Sequence, residues 1–289
     1  MEISLLQILV LALIQGAAEL LPVSSSAHVI VVEKLMGLDP SSPQMTFLLV
    51  MLHTGTMFAV IAYFWKRWAA LITQNGLALL KTLITATVLT GILGFGLKKI
   101  IEKGFLAEHG TKAEIEMLFS NLTLIACSLF AVGIFITVAG IFEKRRGSAI
   151  GNAVSQKQAG LIGLVQGLCL PFRGFSRSGA TISTGLLTGV SREMSENFSF
   201  ALAVILTPPV ILLELKRLVK SSGGFHTLTQ EGLGHLLAPG FLGMGLSAVS
   251  GFLALKWLSA WLENGRWSYF GAYCVVASTV VFGLAFAGF

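Results

Sequence analysis

The sequence predicts an all-α, polytopic membrane protein of about six full transmembrane helices plus two re-entrant helical hairpins, arranged as an inverted-topology internal repeat. Three observations predict it: an apolar composition, a set of long charge-free stretches, and a broken polar motif that occurs twice. The 289 residues are 54% hydrophobic and only 12% charged, with a mean hydropathy of +0.81. A soluble domain carries about twice that charged fraction. Twenty Lys and Arg and fourteen Asp and Glu cannot keep so apolar a chain in water.

Taken in order, the runs 45–64, 82–97, 117–142, 198–213, 236–255 and 268–289 contain no Asp, Glu, Lys or Arg. Each approaches the ~20 residues needed to cross ~30 Å of hydrocarbon, and the shorter ones extend by snorkelling. Two further stretches, 3–14 running into Gln15–Ser26 and 158–172 running into Arg173–Ser183, break at Pro22 and Pro171. Backbone that leaves the helix at membrane depth needs protein or a wet cavity around it. These two stretches therefore read as re-entrant hairpins. A signal-peptide reading of the first fails, because the stretch lacks a basic leader and holds Gln15 and Glu19.

The net charge of +6 does not point to nucleic acid. Lys66-Arg67, Lys144-Arg145-Arg146 and Lys216-Arg217 sit at the ends of apolar runs, the pattern of membrane topology and of anionic headgroups. Cys127, Cys169 and Cys274 lie singly in apolar segments and suggest packing rather than a metal site or a disulfide framework.

The repeat is read from Leu13-Ile-Gln-Gly16, which recurs as Leu164-Val-Gln-Gly167 at an offset of 151. A proline and a serine-rich turn follow each copy. The chain is thus expected to be one membrane domain, 1–289, with halves of about 1–146 and 150–289. A hairpin plus three spans is an odd number of crossings, so the second half enters from the opposite side. The two hairpins should then meet near the midplane, as in transporters with broken helices.

Chemistry concentrates on those hairpins. Glu19 is the acidic residue read as lying well inside an apolar segment, where an ionisable group is costly and marks function. Gln15 shares its helix face. Ser24, Ser25, Ser26 and His28 follow Pro22. One serine is expected to cap a helix beginning near Ala27, while a serine with His and Glu in reach fits an activated nucleophile. The rival account of Glu19 is a carboxyl kept neutral by burial, or an ion pair between helices. In the second hairpin Arg177, flanked by Ser176 and Ser178, suits bidentate phosphate recognition, with backbone donors of a helix starting near Gly179. Arg173 is either a second contact or a side chain reaching for headgroups. His53, mid-span beside Thr54 and Thr56, either lines the pocket or, the favoured reading, makes an interhelical hydrogen bond; His109, His226 and His235 lie in or near expected loops. No Walker A, zinc cluster or dinucleotide fingerprint occurs.

Two motifs, Gln15-Gly-Ala-Ala-Glu-Leu-Leu-Pro-Val-Ser-Ser-Ser-Ala-His28 and Gly174-Phe-Ser-Arg-Ser-Gly-Ala-Thr-Ile182 followed by Gly189-Val-Ser-Arg192, make the chain resemble the undecaprenyl-pyrophosphate phosphatases, the bacitracin-resistance family. The resemblance runs through essentially the whole chain. It implies removal of the terminal phosphate of a polyprenyl pyrophosphate, which recycles the lipid carrier for peptidoglycan synthesis in the bacterial cytoplasmic (inner) membrane. It further implies Glu19 as catalytic carboxylate, Ser25 as nucleophile, His28 as acid/base partner and Arg177 as pyrophosphate clamp. Substrate contacts are expected from Gln15, Ser24, Ser26, Arg173, Ser176, Ser178, Gly179 and Thr181. A divalent cation, Mg²⁺ or Ca²⁺, is expected at Glu19.

Two departures stand out. Gln15 replaces the glutamate of many members, and Pro171-Phe-Arg-Gly-Phe-Ser-Arg carries two residues more than the family pattern, one of them Arg173. Arg173 would then supply a second positive contact. From the residues alone, Ser25 and His28 both remain open as nucleophile. A transporter or flippase of a lipid phosphate or small anion is the alternative function; it needs Arg177 but has no evident use for Ser25 and His28 beside Glu19. A homodimer is left open.

Overall fold

The computed structural model describes residues 3–40, 42–104, 118, 121–146, 151–221, 233–262 and 266–289. Their order is α1 (Leu5–Leu20), α2 (Ser25–Leu35), α3 (Pro43–Gly104), α4 (Leu122–Arg146), α5 (Gln156–Cys169), α6 (Arg177–Leu187), α7 (Arg192–Ser221), α8 (Leu233–Leu262) and α9 (Trp267–Phe286). Among the described residues the protein is all-helical, with one isolated bridge between Gly151 and Val190. Among the described residues five helices are long and apolar enough to cross a membrane: Gln44–Lys103, Leu122–Arg145, Arg192–Leu213, Leu237–Trp257 and Trp267–Phe286. Side chains such as Leu77, Ile92, Leu212, Val249 and Val276 face outward at 60% exposure or more. Such a surface suits lipid, not water. The protein is an integral, multi-pass membrane protein.

The helix α3 is long for one crossing, since 62 residues would extend about 93 Å at 1.5 Å per residue. It does not run straight. Asn75 leaves helical geometry with φ −145° and ψ 36°, at an Asn-Gly pair that favours turns. Phe64 packs with Phe200 of α7, and Ala86 packs with Phe198 and Leu202. Those two α3 residues would be about 33 Å apart on a straight helix, yet they meet one turn of α7. The chain therefore folds back at Asn75 into two antiparallel arms, 43–74 and 76–104.

Both short hairpins close on themselves. Gly151 and the residues after α6 exchange backbone hydrogen bonds, Gly151 N–H to Gly189 O at 3.1 Å and Ser191 N–H to Gly151 O at 3.0 Å. Ile3 and Leu38, flanking α1 and α2, share one apolar cluster. At about 24 and 21 Å, the 16-residue α1 and 14-residue α5 are too short to cross ~30 Å of hydrocarbon.

The repeated Gln-Gly dipeptide has a packing cause. A Cβ on Gly16 would stand 1.7 Å from Ser250 Oγ and 2.8 Å from the Gly251 nitrogen, so α1 lies directly on α8. A Cβ on Gly167 would stand 2.9 Å from Thr90 O and 3.2 Å from the Gly94 nitrogen, so α5 lies on the second arm of α3. Each hairpin thus leans on a helix of the other half. Antiparallel α4 and α9 also touch through glycines, Gly133 against Gly271 and Gly140 against Ser268. Small residues at such contacts are how helices associate closely in lipid.

Candidate active site

The tips of the two hairpins meet. Ser178 Oγ donates to Leu21 O at 3.4 Å, and a Cβ on Gly179 would lie 3.2 Å from Pro22 O. Between the tips sits Glu19, on the last turn of α1, with its side chain 14% exposed. Arg177 Nη2 donates to Glu19 Oε1 at 2.7 Å. The other oxygen, Oε2, accepts from Gln15 Nε2 at 3.0 Å and from the Ser25 hydroxyl in a very short contact. His53 Nε2 lies 3.4 Å from the same oxygen. Glu19 and Gln15 meet because they are four residues apart on α1.

Two buried atoms at this centre have no partner in the structure, Arg177 Nη1 and Gln15 Oε1. A carboxylate only accepts, so the amide of Gln15 must turn its nitrogen to Glu19 and leave its oxygen unpaired. Arg177 likewise spends one nitrogen on Glu19 and holds the other ready for a further acceptor. Buried polar atoms left unpaired are uncommon and costly, so this donor and this acceptor are candidate contacts for a ligand.

The serines take up different positions. Ser24 is the residue preceding α2 and has φ 66°, left-handed geometry that a residue with a side chain adopts only at a cost. It makes no side-chain cap bond; its hydroxyl lies 3.4 Å from that of Ser26. The expected helix start near Ala27 is corrected to Ser25, and the expected serine cap is not formed. The first-turn N–H groups of α2 are therefore left without a side-chain acceptor beside the Ser25 hydroxyl, which favours an anion. The second tip differs. Here α6 starts at Arg177 rather than near Gly179, and Gly179 N–H is already bound by Ser176 Oγ at 3.1 Å. Ser178, Gly179 and Thr181 are buried in the junction, with Thr181 Oγ1 2.6 Å from Ser199 Oγ of α7.

His28, one turn after Ser25, does not touch it. Its Nδ1 is 2.8 Å from Ser24 O and its Nε2 is 2.7 Å from Tyr273 Oη. His53 hydrogen-bonds Leu49 O within its own helix at 2.7 Å and turns its second nitrogen across to Glu19 of α1 at 3.4 Å. The reading of Glu19 as the buried acid also needs extending: Glu33 on α2 is 1% exposed. Arg173 lies within electrostatic range of Glu33, so it has an acidic neighbour in its own right. His53 was visible as an intramembrane histidine, but Tyr273 carries no local signal and Glu33 stands beside Lys34 at what reads as a helix end. His109 and His226 lie outside the described residues, and His235 falls in α8.

The donor set does not fit a divalent cation held by the protein. Among the described residues no three of His, Cys, Asp and Glu cluster. Both Glu19 oxygens already accept from Arg177, Gln15 and Ser25, and Gln15 Oε1 adds one neutral oxygen. Mg²⁺ is commonly held by one or two carboxylates together with waters and substrate phosphates, and the Glu19 carboxylate at this centre already has both oxygens engaged.

Fold and site together define a multi-pass helical membrane protein with a buried serine–glutamate–arginine centre formed between two helical hairpins. The family model described as bacitracin resistance protein BacA matches residues 8–280, and the chain belongs to that family. It is 53% identical over 284 residues to undecaprenyl-diphosphatase 2 of Acinetobacter baylyi, covering 97% of this chain and 98% of the relative. It is 33% identical to undecaprenyl-diphosphatase 2 of Burkholderia orbicola and to undecaprenyl-diphosphatase 1 of Burkholderia pseudomallei, each alignment covering 94% of both chains.

Proposed function

We propose that the protein hydrolyses undecaprenyl pyrophosphate to the monophosphate and phosphate at the junction of its two hairpins. The observation that carries the reading is the arrangement on Glu19. One oxygen accepts the Ser25 hydroxyl, and the other holds an arginine whose remaining nitrogen is buried and unpartnered.

The chemistry follows from the geometry. The terminal phosphoryl group binds between Arg177 Nη1 and the uncapped N-terminus of α2, where positive charge is fixed in place before the reaction begins. Ser25 Oγ attacks phosphorus and its proton passes to Glu19 Oε2. The bridging P–O bond breaks and the prenyl monophosphate leaves. Water then attacks the phosphoserine, losing a proton to His28 Nε2, while Glu19 returns its proton to Ser25 Oγ. His28 afterwards releases its proton to solvent, the net proton of anhydride hydrolysis at neutral pH. Ser25 is favoured over His28 as nucleophile because the Glu19 base lies on Ser25. Gln15, Ser24 and Ser26 border the phosphate position, whereas Ser176, Ser178, Gly179 and Thr181 hold the Arg177 turn against the first hairpin. No step runs through a metal ion; any Mg²⁺ or Ca²⁺ dependence belongs to a cation carried on the pyrophosphate oxygens.

The same reading gives the finer topology: six spans, with the arms of α3 as two of them, and two re-entrant hairpins in inverted halves of about 1–146 and 150–289. Lys66, Arg67, Lys81, Lys144 and Lys157 then share the cytoplasmic face of a bacterial inner membrane. The test is phosphate release from undecaprenyl pyrophosphate by the purified protein in detergent, with and without Mg²⁺ or Ca²⁺, beside Ser25→Ala. Release by the parent and none by the folded variant supports the reading. Lipid binding without release under any cation would make the pocket a transport site.

A further inference from the structure

His28 is fixed from both sides, and the two fixings have different consequences. Ser24 O is a carbonyl and only accepts, so Nδ1 of His28 carries the ring proton at 2.8 Å. In the neutral ring Nε2 is then the lone-pair nitrogen, and the hydroxyl of Tyr273 donates to it at 2.7 Å. The two rings also lie nearly parallel, 12° apart with centroids at 5.7 Å. Tyr273 belongs to α9, 245 residues along the chain from His28, and is 47% exposed. The residue after it, Cys274, packs against Pro22 O at the tip of the first hairpin. A helix from the far end of the chain thus holds the ring next to the reaction centre.

The geometry points to Tyr273 as a positioning residue for the hydrolysis, resting on the function proposed above. Its hydroxyl fills the one Nε2 lone pair of His28 and so fixes the ring's rotamer and tautomer at rest; when His28 takes the proton of the second-step water the bond reverses, Nε2–H donating to Tyr273 Oη. The two bases are thereby divided: Glu19 serves the attack of Ser25, and His28 serves the water of the second step. Ring stacking alone would hold the imidazole plane without selecting which nitrogen is aimed where.

The experiment measures phosphate release from undecaprenyl pyrophosphate by the full-length protein carrying Tyr273→Phe, His28→Gln or both. Loss of one hydrogen bond is expected to lower kcat by up to about tenfold, with KM held within about twofold because the substrate contacts remain. In the His28→Gln background the tyrosine change is expected to have no further effect. A parent-like kcat in Tyr273→Phe, or an equal loss when His28 is already absent, overturns the proposal. ¹⁵N-histidine NMR gives an independent readout: the His28 Nε2 resonance moves in Tyr273→Phe, and an unmoved resonance also overturns it. If the parent releases no phosphate while the resonance does move, the hydrolase reading has failed and the hydrogen bond stands.

Discussion

The two hairpins begin alike and end differently. Each opens with a capping box, Ser4 with Gln7 and Ser155 with Gln158, at the same offset of 151 that relates the Gln-Gly pairs. Each buries its glutamine and presses its glycine on a helix of the opposite half. They diverge at the next turn. The first has Glu19 where the offset gives Leu170, a residue 47% exposed with nothing to neutralise. At the tips, Ser25 and Arg177 are both the first residue of their second helix, preceded by Ser24 and Ser176. Ser176 caps its helix and Ser24 does not. One tip is closed by its own side chain and carries Arg177; the other is left without a side-chain cap. Function arises where the similarity between the halves stops.

The comparison can be broken most severely at the shared carboxylate. Glu19→Gln and Arg177→Ala are each expected to lower phosphate release by 100-fold or more, on the order expected for a transition-state charge contact. Each also leaves a charged or acceptor group buried without its partner, at about 3 kcal/mol of stability, read by thermal unfolding in micelles. Next come the glycines. Gly16→Ala drives a methyl into Ser250 Oγ and the α8 backbone and should lower stability by about 2 kcal/mol; Gly167→Ala, with the wider clearance, should cost less. If the two lose equally, the close approach of α1 to α8 is not what the structure shows. The caps separate more finely. Ser176→Ala should cost about 1 kcal/mol, whereas Ser24→Gly removes left-handed strain and should gain up to about 1 kcal/mol. Leu170→Met has the smallest effect expected, activity within about twofold of the parent, because it keeps a half-exposed apolar side chain of similar volume. A large loss there would mean that the second hairpin also contributes to the reaction.

Much of this was legible in the residues. Charge-free runs predicted an all-helical membrane protein, and the runs 45–64 and 82–97 each fall within one arm of α3, on either side of the break at Asn75. The repeat predicted that the hairpins would meet, and the meeting of Glu19 with Arg177 is one outcome of it. What local pattern cannot show is direction. The left-handed turn at Ser24 depends on packing at the tip, not on residue type. His53 does reach across helices, to Glu19 of α1 at 3.4 Å, but the sequence gives no ring orientation and so not the second bond to Leu49 O. Glu33 escaped notice because its burial is a tertiary event that a position beside Lys34 does not signal. Tyr273 reaches His28 across nearly the entire chain.

The spacing of Glu19 from its partners also bears on biosynthesis. Arg177 lies 158 residues downstream, roughly 8 to 30 s of translation later at 5–20 residues per second. Throughout that interval the nascent chain holds the Glu19 carboxylate without Arg177 to meet it. Gln15 and Ser25 leave the ribosome within a few residues of Glu19, and their hydrogen bonds come from the same hairpin. The donors that tune the finished site are therefore also those able to shelter its acid while the ribosome is still at work.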